Sequence, residues 1–305
     1  MRSSRLSALL LPLVMPIAAP ASSAAQMDYA IVQGGSGRPM GLMELADSLA
    51  RHDVVFLGEQ HDDPVTHRVQ AILLDEIGRR RPRVVLSLEM FERDVQPLVD
   101  DYAADRLAEA DFLARSRPWG NYAEGYRPLV ERARAWRWPV VAANVPRPLA
   151  SSVSRGGMAV LDTLPASHAG WYAAELRCEP QGEYFRRFGE AMGGMQGHGA
   201  GADSAAARAT LARFYAAQCL KDETMAESIA RARQAAPDAV VVHVTGAFHS
   251  NGRLGTVERL VRRMPALRIA VVTLAPVDDP RAGDAAEHAG SDYVVFTRRP
   301  PPAAP

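Results

Sequence analysis

The residues best suited to chemistry in this chain are two glutamates and two histidines, each closely preceded by a short apolar segment. Carboxylates and imidazoles can ligate a divalent transition metal such as Zn, Mn or Co. The same groups also act as general bases and stabilise developing charge. The four side chains therefore predict either a metal centre or an acid–base site. The candidate catalytic and metal-binding residues are Glu59, His61, Glu89 and His249.

The apolar segments in front of these residues have the composition of buried strands. Residues 54–57 are β-branched, aromatic or aliphatic, which is typical of a strand buried on both faces. Asp63 suits an N-cap and Pro64 suits the first helical position, so the spacing predicts a helix from there. A further strand should end at Asn144. Because the carboxyl ends of parallel strands share one edge of a sheet, we expect the polar residues at these ends to converge.

Strand and helix patterns alternate along most of the chain, which predicts an α/β fold with a parallel sheet flanked by helices. Seven strands are expected, at 29–32, 54–57, 84–90, 139–145, from 239 onward, at 269–274 and at 293–296.

The alternation stops between 149 and 236, where helical patterns dominate. We therefore expect a smaller helical insertion domain at 149–236, inside a discontinuous α/β domain formed by 26–148 and 237–298. The glycine-rich segment 193–201 predicts a mobile loop within the insertion. The proline-rich tail 299–305 is expected to be disordered.

The overall composition excludes few classes of protein, but it argues against one. Of the 305 residues, 48% are hydrophobic and 23% are charged, as in ordinary globular proteins. Lys+Arg and Asp+Glu both total 35, so the formal net charge is +0. With neither net positive charge nor a basic stripe, nucleic acid is not an expected partner.

The first 25 residues have the three parts of a secretory signal peptide. Arg2 and Arg5 precede an apolar run at 8–14, and small residues follow as far as Ala25. The alternative is an uncleaved anchor, but the apolar run is too short for a stable membrane span. We expect cleavage near Gln26 and export to the periplasm. No cysteine stands near the cleavage zone, so lipoprotein anchoring is not expected.

The chain has two cysteines, Cys178 and Cys219. In an oxidising compartment they could form a disulfide, and the alternative is two separate buried thiols. The sequence leaves both open. Two thiolates in separate segments supply too few ligands for a cysteine-only metal site.

The order of several short motifs resembles the ChaN-like haem-binding uptake family, which belongs to the wider Tiki/TraB and erythromycin-esterase-like group. Segments 119–128 and 217–226 also resemble landmarks of the family, and the resemblance covers roughly 54–296. The motifs that carry it are Leu57-Gly58-Glu59-Gln60-His61-Asp62-Asp63, Leu88-Glu89-Met90-Phe91 and Gly246-Ala247-Phe248-His249.

The resemblance implies an exported bacterial protein of haem or iron uptake, with haem or another small molecule as its ligand. An apolar slot in the helical domain or at a homodimer interface would then present a Tyr, His or Met to the iron. The residues named as haem-ligand candidates are Tyr122, Tyr126 and His198. Many members of the family are lipoproteins, whereas this chain shows no anchoring cysteine, so a free periplasmic protein is expected.

The same resemblance keeps a second function open. Related Tiki-type members are metal-dependent proteases that use paired glutamates and a Gly-x-x-His motif. Carried over, these positions are Glu59, Glu89 and His249, with His61 added from the first motif. The alternative function is therefore a metal-dependent hydrolase, peptidase- or esterase-like, whose metal-bound water attacks the substrate.

Overall fold

A computed structural model of the chain describes residues 28–196 and 205–300, without the side chains of 194–196. The predicted signal peptide, the haem-ligand candidate His198 and the end of the predicted tail, 301–305, lie outside the described residues. Among the residues described, no helix is both long and apolar enough to cross a membrane.

Seven strands form a single sheet in the described part of the chain. They are β1 (Tyr29–Gln33), β2 (Val54–Glu59), β3 (Val84–Glu92), β4 (Val140–Asn144), β5 (Val240–Gly246), β6 (Ile269–Val277) and β7 (Tyr293–Arg298). Their order is β1-β7-β6-β2-β5-β3-β4, and every pair is parallel except β1 with β7. The predicted α/β fold is confirmed. The antiparallel direction of β1 was not predicted, because a short apolar strand has the same pattern in either direction.

Nine α-helices surround the sheet within the described ranges. They are α1 (Leu42–Leu49), α2 (Pro64–Arg80), α3 (Gln96–Ala103), α4 (Glu109–Ser116), α5 (Arg127–Trp136), α6 (Arg147–Gly156), α7 (Gly182–Gln196), α8 (Ala205–Ala235) and α9 (Thr256–Arg263). Helix α2 begins where the sequence predicts: the Asp63 carboxylate caps it by accepting the amide hydrogens of Val65 and Thr66 at 3.2 and 3.1 Å.

The core lies on both faces of the sheet, since successive side chains of a buried strand point in opposite directions. On one face, Leu57 belongs to the same apolar cluster as Leu73 of α2. On the other face, the neighbouring residue Phe56 belongs to a cluster with Ile229 of α8 and Leu260 of α9. Strands β2, β3 and β5 are buried along their whole length, so the ends of these central strands are held rigidly.

The described part of 149–236 contains helices and no strand. Its last helix, α8, belongs to both regions: Leu220 packs with α6, whereas Ile229 packs on the sheet. A disulfide joins Cys178, in the segment before α7, to Cys219 of α8, with 5.6 Å between their Cα atoms. This resolves the alternatives that the sequence left open and ties the start of α7 to α8.

Backbone pairing continues past the end of β7 into the first residue of the predicted tail, 299–305. The amide of Arg299 donates to the carbonyl of Val277 at 2.8 Å, which continues the pairing of β7 with β6. The sheet thus provides a hydrogen-bond partner beyond the last apolar side chain, and the disorder expected for 299–305 stays a prediction.

Candidate functional site

Three adjacent strands bring the predicted residues to one edge of the sheet. Strand β5 lies between β2 and β3, and Glu59 pairs with Gly246 across the β2–β5 ladder. Glu89 lies where the regular ladder between β3 and β4 is interrupted, after Leu88. His249 follows β5 in a single 3-10 turn, Ala247–His249. The four predicted site residues thus meet around the end of β5, although 190 positions separate the first from the last in sequence.

Two glycines allow this close approach. A Cβ atom at Gly58 would lie 2.6 Å from the Ser250 hydroxyl oxygen, so a side chain there would push the turn after β5 away. A Cβ atom at Gly246 would lie 2.9 Å from Cε1 and Nε2 of His61. The imidazole therefore lies directly against the backbone at the end of β5.

Glu59 and His61 form the first of two hydrogen-bonded units. Glu59 is only 2% exposed, and its Oε1 lies 2.9 Å from Nδ1 of His61. Its other partners are the amide of Gln70, which donates to Oε2 at 2.6 Å, and the hydroxyl of Tyr126, which donates to Oε1. A carboxylate with three donors is firmly fixed, so it holds the imidazole in one orientation.

The His61 side chain remains 46% exposed, in contrast to its carboxylate partner. Its ring packs edge-on against Trp119, with 4.5 Å between centroids. Burial lowers the pKa of His61, but the hydrogen bond to Glu59 and the charge of Glu89 outweigh it, so the pKa lies above its ordinary value. Nε2 has no hydrogen-bond partner among the described residues, and this nitrogen is available to a ligand.

The second unit is a buried chain of Glu89, His249 and Asp222. Nδ1 of His249 lies 2.7 Å from Oδ1 of Asp222, and Nε2 lies 3.3 Å from Oε1 of Glu89. The other oxygen of Glu89 accepts hydrogen bonds from the Thr245 hydroxyl and the Gly246 amide, both at 2.7 Å. Asp222 is fully buried in α8.

These contacts keep His249 charged. Burial lowers its pKa, but the charges of Glu89 and Asp222 outweigh burial and raise the pKa to about 10. For Glu89, burial raises the pKa, yet the charge of His249 dominates and holds it well below the usual range. The unit is therefore an imidazolium between two carboxylates, with both ring nitrogens facing an oxygen.

Asp222 was not predicted as a site residue from the sequence. Two further donors fix this carboxylate: the Tyr184 hydroxyl and the Thr256 hydroxyl, each at 2.8 Å. A signal was present in the sequence, because Asp222 follows Cys219 by three positions and precedes Ala226 by four. All three lie on one face of a helix, and that face is buried.

Above the two units lies a cleft of about 390 Å³. Its polar floor contains Glu59, His61 and His249, together with Gly246. Its apolar side is contributed mainly by Phe188, Met192 and Phe248. An exposed imidazole thus faces an apolar wall made by two residues of α7 and by Phe248, none of which was predicted as a site residue.

The four predicted residues do not form a metal-binding arrangement. Among the residues described, no group of three or more His, Cys, Asp or Glu is placed to hold a metal ion. The reason is visible in the contacts, since both nitrogens of His249 already face carboxylates and the Glu59 and Glu89 oxygens accept internal hydrogen bonds. The metal and catalytic roles remain predictions, and this geometry does not support a shared metal.

The predicted haem-ligand tyrosines lie beneath the cleft and do not line it. Tyr122 packs among Phe91 and Phe112, and its hydroxyl has no partner within the described part of the chain. Tyr126 is 1% exposed and donates to Glu59. Burial raises the pKa of both phenols, which opposes the phenolate form that binds iron. Neither reaches the cleft in this conformation.

A solved structure shares this fold. The structure of ChaN from Campylobacter jejuni with cofacial haem covers 89% of this chain and 97% of its own, with a TM-score of 0.67 and 15% identity. The type III effector HopBA1 (TM-score 0.45, 9% identity, 85% of this chain and 94% of its own) is more distant. A mutant of the erythromycin esterase EreC in its open conformation is also more distant, with a TM-score of 0.45 and 12% identity over 88% of this chain and 83% of its own.

The sequence matches none of the curated proteins with which it was compared. A family model, however, matches residues 45–260, which is more than half of the chain. Its description is haem-binding uptake, Tiki superfamily, ChaN, the family that the motifs predict. The chain therefore belongs to the ChaN family of haem-binding uptake proteins.

Proposed function

We propose that the protein binds haem in the cleft above β2 and β5, with His61 as the iron ligand. The observation that carries the proposal is the imidazole of His61, which is half exposed and faces an apolar wall, and whose Nε2 has no partner among residues 28–196 and 205–300. Haem needs these features together, because its iron takes a neutral imidazole nitrogen while its ring prefers apolar surface. When bound, haem would supply an iron centre for carriage or redox chemistry.

Glu59 would act as the positioning group for this ligand. Iron-bound histidines generally donate their other ring hydrogen to a carboxylate or carbonyl, which fixes the tautomer and strengthens the ligand. The 2.9 Å contact between Nδ1 of His61 and Oε1 of Glu59 already has this arrangement. The side chains of Gln70 and Tyr126 hold the carboxylate in place.

We further propose that the protein works in haem or iron uptake after export to the periplasm. Three observations support this proposal: the signal-peptide pattern at 1–25, the family, and the Cys178–Cys219 disulfide. Disulfides persist in oxidising compartments. The cleft is open on one side, and a second copy of the chain is one way to cover it. A homodimer therefore stays a prediction, checked by light scattering with and without haem.

The metal-dependent hydrolase has weaker support. Its four candidate residues are close together, but they are divided between two hydrogen-bonded units, and His249 offers no free nitrogen. A hydrolase would require these contacts to rearrange around a metal. Metal analysis of the purified protein, with peptide and ester substrates, tests this alternative.

The test of the proposed function is a haemin titration of the mature chain, followed by absorbance. We expect a saturable Soret band in the wild type and a loss of affinity with a shifted band in His61→Ala. The matched control is His52→Ala, which removes a histidine just before β2, at the opposite edge of the sheet. An unchanged band and affinity in His61→Ala would refute the ligand assignment, and no band in the wild type would refute haem binding.

A further inference from the structure

The disulfide between Cys178 and Cys219 holds the helix that carries the apolar wall of the cleft. Cys178 lies just before α7, and its partner belongs to α8. In α7, Tyr184, Phe188 and Met192 are spaced by four residues, so they share one face of the helix. The last two of them line the cleft. The bond therefore ties the wall of the cleft to α8.

The segment that leads into α7, residues 172–181, forms neither a helix nor a strand. Its backbone amides donate to side chains of α8, from Ala173 to Thr224 at 3.2 Å and from Arg177 to Glu223 at 3.3 Å. Each such hydrogen bond contributes only modestly to stability, because water replaces it when it opens. Without the covalent bond, the start of α7 is therefore held less firmly.

The two sulfur atoms of the disulfide have different surroundings. Cys178 is partly buried, and its neighbours Arg177 and Glu179 are exposed, so a thiol can approach from solvent. Cys219 is fully buried. Thiol–disulfide exchange depends on which sulfur is accessible and on how readily the other leaves as a thiolate. The difference in exposure assigns Cys178 as the attacked sulfur and Cys219 as the leaving group.

A buried guanidinium group faces the leaving sulfur. Arg259 is 2% exposed, and its Nη2 lies 3.4 Å from Sγ of Cys219. A disulfide sulfur is neutral and a weak acceptor, whereas a thiolate is an anion, so this contact becomes an ion pair on reduction. Burial raises the pKa of a thiol, but a neighbouring cation lowers it. Arg259 therefore favours the departure of Cys219 as a thiolate.

Arg259 also contacts α7. Its guanidinium group lies over the ring of Tyr184, 5.2 Å from the ring centroid. Its Nη1 donates to the carbonyl of Gly255 at 2.8 Å and to Glu258 at 2.7 Å, which fixes the group in position. The cation that would pair with the Cys219 thiolate thus packs on the helix that carries the wall.

We propose that Cys178–Cys219 is a thiol-exchange site, and that its reduction by a dithiol loosens α7 and weakens ligand binding in the cleft. A thiolate of the dithiol attacks Sγ of Cys178, the S–S bond breaks, and its electron pair leaves on Sγ of Cys219. The second sulfur of the dithiol then displaces Cys178 and closes the dithiol into its own disulfide. Cys178 keeps one of the two protons of the dithiol, and the other passes to solvent. The part of this inference that concerns the ligand rests on the proposed haem function.

The first experiment identifies the attacked sulfur in the wild-type chain. The folded, oxidised protein is mixed with glutathione, quenched with acid, digested with pepsin and analysed by mass spectrometry. We expect the mixed disulfide on Cys178. A mixed disulfide on Cys219, or reaction only after denaturation, would refute the exchange site.

A pair of variants tests the leaving group. Arg259→Met should slow the reduction of the folded chain by dithiothreitol roughly tenfold, as expected for loss of a charged hydrogen bond. The matched control is Arg262→Met, which removes another cation of α9 whose guanidinium group contacts Glu223. Circular dichroism confirms that both variants fold. Equal rates of reduction in the two variants would refute the role of Arg259 in stabilising the thiolate.

The last experiment measures the effect on the wall and on the cleft. Reduction should speed amide hydrogen exchange in α7 and leave it unchanged in α5, which packs on the opposite face of the sheet from α8. The Cys178→Ala/Cys219→Ala chain needs no reductant, and it should bind haemin roughly tenfold more weakly than the oxidised wild type. The reason is that the two wall side chains of α7 must then be ordered on binding.

The outcomes separate this proposal from the proposed function. If haemin binds both chains equally, control of the cleft is refuted and haem binding stands. If exchange in α7 is also unchanged by reduction, the disulfide is purely structural. If haemin does not bind the wild type, the proposed function fails together with the effect on haem, and thiol exchange is then decided by the attacked sulfur and by exchange in α7.

Discussion

Replacing Glu59 by glutamine tests how strongly the buried carboxylate supports His61. The change keeps the shape of the side chain but removes its charge and turns one acceptor into a donor. The new NH2 group would have to face a group that now donates to Glu59: the amide of Gln70, the hydroxyl of Tyr126 or Nδ1 of His61. At least one hydrogen bond to a charged group is lost, which contributes about 1.5–3 kcal/mol.

The effect on haem follows from the same contacts. Without the carboxylate, Nδ1 of His61 loses its charged acceptor, and the imidazole becomes a weaker ligand with a less fixed orientation. Changes to such outer partners typically weaken metal binding by about 10–100-fold. We therefore expect Glu59→Gln to bind haemin about 10–100-fold more weakly than the wild type and still to give a Soret band at saturation. Because the carboxylate favours the ferric state, the iron reduction potential should also rise.

The assay is a haemin titration with spectroelectrochemistry, on the variant and on Glu44→Gln as control. Glu44 is an exposed glutamate paired with Arg38, so it reports the general effect of losing one carboxylate. Circular dichroism confirms that both variants fold. An affinity within threefold of the wild type and an unchanged potential would show that Glu59 does not act on an iron ligand, and the assignment of His61 would lose its main support.

Three further changes test other parts of the site. The buried charge of His249 stabilises the fold fully below pH 6.5, its ordinary pKa, and this stabilisation is lost as the pH rises toward about 10. Across this window, the unfolding free energy of the wild type should therefore fall more than that of His249→Gln. If the unfolding free energies of the two proteins, measured by chemical denaturation, depended equally on pH, this prediction would be contradicted. Gly246→Ala should displace the His61 ring and weaken haemin binding roughly tenfold, with little change in melting temperature. Haemin titration curves equal to those of the wild type would show that the imidazole of His61 is free to move. Reduction of Cys178–Cys219, which closes a loop of 41 residues, should lower stability by about 4 kcal/mol in the chain-entropy model, and a Cys178→Ala/Cys219→Ala chain should then be insensitive to reductant.

The sequence predicted the strands well because the central ones are buried on both faces and their apolar runs are unmistakable. Once the sheet was predicted to be parallel, the convergence of Glu59, Glu89 and His249 followed from geometry alone. The pairing of these residues did not follow. Which carboxylate faces which imidazole depends on strand order, and β5 lies between β2 and β3 although it comes last of the three along the chain. Long-range order of this kind has no local signal.

The missed residues share a different cause. Asp222 and the α7 part of the apolar wall belong to the helical insertion, where the sequence shows helices but not which face meets the sheet. Phe188 and Met192 have the spacing of any apolar helix face, so the pattern alone could not separate a core residue from one lining a cleft. A helix of 31 residues that starts in the insertion and ends on the sheet also obscures the boundary that the composition suggested.

One turn of α8 explains why the insertion and the sheet edge form one site. Successive helical residues point about 100° apart, so neighbours in sequence serve different surroundings. Gln218 lines the cleft, Cys219 holds the segment before α7, Lys221 lines a small pocket together with Trp119, and Asp222 binds His249. These four residues lie within the five consecutive positions 218–222 and contact four different parts of the site. A rotation or shift of α8 would therefore disturb all four contacts. We therefore interpret the buried Asp222–His249–Glu89 unit as the set of contacts that fixes α8 to the ends of β3 and β5. This leaves the half-exposed His61, held by its buried partner Glu59, as the part of the edge proposed to bind the ligand.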